Sequence, residues 1–128
     1  MPDSPNLPRI VGDTSALPMS RGGSAWQLDP ATRGLDANII DLPPGDEIAA
    51  HAGPDLDVLI HVLTGSGVLE TDGGEIALDA GALVWLPPRS RRRFVAGPGG
   101  IRYFSVHQRK PGLSIGRAPT RSEGGDRV

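Results

Sequence analysis

Residues 57–65 read Asp57-Val58-Leu59-Ile60-His61-Val62-Leu63-Thr64-Gly65, a run of branched apolar residues ended by a glycine. In an extended chain successive side chains point to opposite faces. Asp57, Leu59, His61 and Leu63 therefore share one face, and Val58, Ile60 and Val62 share the other. Both faces are largely apolar, which is the pattern of a strand covered on both sides. In a chain of 128 residues the second cover is either another layer of the same domain or a second copy, so a homodimer is expected.

Outward from this strand the chain is too interrupted to be helical. Gly and Pro together make up 31 of the 128 residues, and the longest stretches free of both, 55–64 and 101–110, are ten residues long. That is shorter than a mean helix of about 11–12 residues, and both residue types are disfavoured in helix interiors. Strand-length apolar segments recur instead at 24–29, 35–42, 47–51, 57–64, 67–71, 75–79, 82–86, 91–96 and 101–109. This spacing predicts an all-β protein, a barrel or sandwich, over residues 24–110. Residues 1–23, broken by Pro2, Pro5, Pro8 and Pro18, are expected to form a poorly ordered or extended arm. Residues 111–128, with almost nothing apolar, are expected to be a poorly ordered tail.

Composition removes several classes of function. With no cysteine there is no disulfide framework, no thiolate zinc site and no thiol nucleophile, so any metal would be held by His, Asp or Glu. No apolar run approaches the roughly 18–20 residues of a membrane span, and the first residues lack a basic and apolar leader pattern. A soluble, cytoplasmic protein with no membrane partner is expected. Residues 1–88 carry 13 acids and 3 arginines, whereas 89–128 carry 10 bases and 2 acids. A nucleic-acid surface would need the basic half on one face with aromatics between the charges. Strands from both halves interleave in a barrel, so the charges pair or face water, and no nucleic-acid partner is expected.

Two short motifs resemble those of the cupin family, whose fold is a double-stranded β-helix, or jelly-roll barrel. The first has the form Gly, five residues, His-x-His, three or four residues, Glu, six residues, Gly; here Gly45 and His51 stand at its opening, and His61-Val-Leu-Thr-Gly65 resembles its closing run. The second has the form Gly, five residues, Pro-x-Gly, two residues, His, three residues, Asn, and Gly81 and Pro87 match its start. Leu42-Pro-Pro-Gly and Trp85-Leu-Pro-Pro support the match, which spans about residues 38–107.

In that family two histidines and the glutamate of the first motif, with the histidine of the second, hold a divalent metal. Of those four positions this chain keeps only His51; the others fall on Gly53, Val58 and Arg92. A metal site usually needs at least three protein ligands, so no cofactor is expected at the usual place. If a metal is bound after all, the candidates for a rearranged set are His51, Asp55, Asp57 and His107. Arg92, a permanent cation, would repel a divalent ion and attract a carboxylate or phosphate; its plain structural role would be to pair with Asp55 or Asp57. The resemblance therefore implies a small organic, anionic ligand held by His51, Arg92, Trp85, Tyr103 and His107. Two alternatives stay open beside it. One is a metal-dependent oxygenase or isomerase with a rearranged site. The other is a metal-free proton-transfer isomerase, with His51 as base and Tyr103 as acid, or a non-catalytic sensor module. Which way Tyr103 and His107 face is undetermined from one sequence.

Overall fold

The computed structural model describes residues 7–18 and 22–109. Seven strands follow one another: β1 (Gly23–Gln27), β2 (Leu35–Leu42), β3 (Glu47–Ala52), β4 (Val58–Thr71), β5 (Gly74–Asp79), β6 (Leu83–Leu86) and β7 (Arg91–Gln108). The one helical element among the described residues is a single 3-10 turn, Thr14–Ala16. Every strand pairing is antiparallel. The result is a two-sheet jelly-roll barrel.

Nine expected segments become seven strands because two pairs of them run on without a break. Residues 58–65 of β4 pair with 101–107 of β7, while residues 67–70 pair with 93–96. Each of these strands thus bends out of one sheet and into the other, the way corners are turned in orthogonally packed sheets. One sheet has the order β1-β2-β7-β4-β6 and the other β3-β7-β4-β5. The two corners pack against each other: Gly65 (φ 81°) and Gly100 (φ 80°) both lie in the left-handed region, and a Cβ on Gly65 would stand 2.1 Å from the Gly100 carbonyl oxygen. Only glycine fits there.

Alternation along β4 sets the core. Val58, Ile60 and Val62 are fully buried against Ile40, Leu69 and Phe94, whereas Leu59 on the opposite face is 47% exposed. The strand is therefore covered fully on one face only within a single chain. Leu59 pairs with Trp85, and His61 with Leu83, on the outside of the barrel, where Trp85 and Leu83 are also exposed.

The segment 7–18 is tied to the barrel by polar contacts. Trp26 Nε1 donates to the Val11 carbonyl at 2.9 Å. Arg102, buried with Asp41 in a two-pronged pair at 2.6 and 2.8 Å, also donates to the carbonyls of Leu17 and Pro18. The hydrogen bonds it donates to the Asp41 carboxylate raise the proton affinity of Arg102 above its ordinary value. Bidentate, charge-assisted pairs of this kind fix geometry as well as energy. The expected tail, 111–128, lies outside the described residues.

Candidate functional site

The inner face of β7 carries the polar side chains of the barrel. Before its corner it presents Arg92 and Phe94; after the corner it presents Tyr103, Ser105 and His107. Phe94 and Tyr103 stack with ring centroids 5.1 Å apart and planes 13° from parallel. They bridge the two sheets and roof the apolar core. Arg92 and Ser105 lie two residues farther from the corner on each arm of the strand. Ser105 stands opposite Asn38 of β2 and Ile60 of β4, and Arg92 stands opposite His51 of β3.

Among the described residues Arg92 is the largest fully buried side chain, 1% exposed. Its Nη2 donates to Ser90 Oγ at 2.7 Å and to the Pro87 carbonyl at 3.2 Å, and its Nε donates to the Ser90 carbonyl at 3.2 Å. Among the described residues no carboxylate pairs with it, and Nη1 is buried with no hydrogen-bond partner. Burial pulls the guanidinium below the ordinary arginine value, an effect that the neighbouring Tyr103 partly offsets. The expected alternative, a pair with Asp55 or Asp57, is corrected. Asp55 forms an ion pair with Arg89 in the exposed loop next to β6. Asp57 precedes inward-facing Val58, so it points out and accepts from Trp85 Nε1 at 2.8 Å.

Gly53 makes the room for this arginine. A Cβ at position 53 would stand 2.3 Å from both Cζ and Nη2 of Arg92, so the guanidinium occupies the space of a side chain that the backbone lacks. Two of the three departures from the metal motif, Gly53 and Arg92, 39 residues apart in sequence, are one packing event.

His51 faces the same interior. Its Nδ1 lies 2.9 Å from the Ala49 carbonyl oxygen. A carbonyl only accepts, so Nδ1 carries a proton, and when the ring is neutral Nε2 keeps its lone pair. That Nε2 is buried and has no partner among the described residues, as does Ser105 Oγ. Buried polar atoms are nearly always satisfied in folded proteins; His51 Nε2, Arg92 Nη1 and Ser105 Oγ are three inside the barrel that the described residues leave unpaired.

Of the five expected ligand residues, the fold brings His51, Arg92 and Tyr103 to this interior. Trp85 does not join them: β6 turns Val84 and Leu86 inward, which leaves Trp85 62% exposed outside. His107 is partly exposed at the end of the inner file, where it lines a separate polar cavity of about 260 Å³ with Gln27, Arg33, Asp36 and Asn38. Neither Ser105 nor Ser90 stands among the expected ligand residues. The period-two step from Tyr103 reaches Ser105, but Ser90 holds Arg92 through a turn whose shape no periodicity shows.

A family model described as a cupin domain matches residues 38–107. The chain belongs to the cupin family. Solved cupin structures superimpose on it. A cupin protein from Bacteroides fragilis is 27% identical, with 69% of this chain and 75% of that one covered and a TM-score of 0.54. A cupin domain from Schizosaccharomyces pombe is 13% identical over 80% of this chain and 71% of that one, TM-score 0.67. A cupin-superfamily sugar phosphate isomerase from Silicibacter pomeroyi is 22% identical over 63% of this chain, TM-score 0.57; this chain spans 54% of its length. No curated protein matches the chain.

The residues at the cupin metal position do not fit a divalent ion. Val58 is apolar and fully buried, Gly53 offers no donor, and a guanidinium fills the space over it. The rearranged set does not assemble either: Asp55 and Asp57 are engaged outside the barrel, and among the described residues no three His, Asp or Glu side chains gather as a metal would need. Among the described residues, too, no helix is long and apolar enough to cross a membrane.

Proposed function

We propose that this cupin binds a small organic anion inside its barrel, with Arg92 as the anchor in place of a metal. The observation that carries the reading is a buried guanidinium that, among the described residues, has an unpartnered Nη1 and no carboxylate paired with it. A buried cation costs several kcal/mol in desolvation, and a ligand carboxylate or phosphate would offset that cost. The sugar phosphate isomerase among its structural relatives acts on a molecule with such a group. Thermal-shift screening of small carboxylates, phosphates and divalent metals tests this. Anions should stabilise the wild type, and Arg92→Ala should weaken them about tenfold, the equivalent of roughly 1.5 kcal/mol for one charge-assisted bond. Stabilisation by manganese, iron, nickel or zinc that disappears in His51→Ala would overturn the reading.

A second reading, proton-transfer isomerisation without metal, is favoured by the orientation of His51, whose accepting Nε2 is turned into the same interior as Tyr103. General-base work requires such an atom within hydrogen-bond reach of the substrate proton. The exposed outer group of Leu59, Leu83 and Trp85 supports a homodimer through that face, and the cysteine-free composition suits a cytoplasmic setting. Sedimentation of the wild type and Leu59→Lys at micromolar concentration reads the assembly directly.

A further inference from the structure

The geometry points to a hydroxy acid as the barrel ligand, its carboxylate on Arg92 Nη1 and its hydroxyl donating to His51 Nε2. This specifies the second group of the ligand and rests on the anion reading above. It follows from the different hydrogen-bond characters of the two orphan nitrogens.

Arg92 offers a donor and His51 an acceptor. With Nδ1 committed to the Ala49 carbonyl at 2.9 Å, Nε2 accepts through its lone pair whenever the ring is neutral. A bare carboxylate spanning both residues would press an oxygen lone pair against that nitrogen. A ligand with an O–H beside its carboxylate satisfies both atoms.

His51 and Arg92 stand directly opposite each other across β3 and β7, so their side chains leave one face as neighbours. Neighbouring roots point to a compact ligand, with the hydroxyl on the carbon next to the carboxylate or one beyond it. Nε and Nη2 of Arg92 are already held by Ser90 and Pro87, so Arg92 meets the carboxylate through Nη1 alone and not as a two-pronged fork. The second carboxylate oxygen then needs another donor. Ser105 Oγ, fully buried and without a partner among the described residues, is the hydroxyl at the matching level of the opposite sheet.

The test is an NMR titration of ¹⁵N-labelled full-length chain with three matched probes: 2-hydroxybutyrate, butyrate and 2-hydroxybutyramide. The hydroxy acid should bind about fivefold or more tighter than butyrate, as expected for one hydrogen bond, and about tenfold tighter than the amide, as expected for the charge. His51→Phe should erase the advantage of the hydroxy acid over butyrate while butyrate itself still binds. His51→Gln, whose amide oxygen can accept, should restore part of the advantage, and serves also if the Phe variant does not fold. Equal binding of butyrate and 2-hydroxybutyrate by the wild type overturns the hydroxy-acid inference and leaves the anion reading standing. Equal binding of the acid and its amide overturns the anion reading itself. Failure of all three probes to shift the amides of residues 51, 92 and 105 overturns both.

Discussion

Replacing Gly53 with alanine tests whether Gly53 and Arg92 are one packing unit. Gly53 is not among the glycines with positive φ, so alanine brings no backbone strain, and the whole effect comes from the added methyl. That methyl would stand 2.3 Å from Cζ, where ordinary contact begins at 3.4 Å, so the guanidinium must withdraw by about 1.1 Å. Its bonds to Ser90 and Pro87, now 2.7–3.2 Å long, cannot all survive such a shift. Losing one charge-assisted bond costs about 1.5–3 kcal/mol; with partial repacking, Gly53→Ala should destabilise by about 1–3 kcal/mol. In an Arg92→Ala background the methyl enters vacated space. There the same substitution should cost nothing, or stabilise by about 0.4–1 kcal/mol through the unfolded chain. The coupling energy is then about 1–4 kcal/mol, read from urea unfolding of the wild type, the two single variants and the double variant by far-UV circular dichroism with equal slopes. Additivity of the two substitutions within about 0.5 kcal/mol would refute the claim that Gly53 exists to admit Arg92.

Asp41→Ala leaves Arg102 buried without its counter-charge and should cost about 3–5 kcal/mol; hydrogen exchange should show residues 7–18 released along with it, because Arg102 also holds the Leu17 and Pro18 carbonyls. Gly65→Ala meets both a left-handed φ and the Gly100 carbonyl, so a loss of about 2 kcal/mol or more is expected in thermal unfolding. Leu59→Lys and Ile60→Lys are neighbours with opposite outcomes: the first changes a 47% exposed side chain and should leave monomer stability within about 0.5 kcal/mol, while the second places a charge in a site that is fully buried and should abolish folding, as seen by circular dichroism.

Local chemistry in the chain was enough to determine the all-β architecture. Gly and Pro leave no window for a helix, and the period-two pattern separates Val58, Ile60 and Val62 from Leu59 in a way that any packing must respect. The motif spacing puts His51 and Arg92 in the barrel wall, and alternation along β7 sets Phe94 on the face of Arg92 and Ser105 on the face of Tyr103. Alternation says which residues share a face, however, and not which face turns inward. Trp85, expected in the pocket, lies outside, because the inward places on a four-residue strand go to Val84 and Leu86. The joining of segments into β4 and β7 was also beyond local reading: glycines that look like turn residues act instead as corners within continuous strands, and only the close approach of Gly65 to Gly100 shows why. The meeting of Gly53 with Arg92, and the orientation of His51 by the Ala49 carbonyl, depend on strand register and on three-dimensional contact. Those are properties of pairs of residues, set by tertiary packing, and no single stretch of sequence contains them.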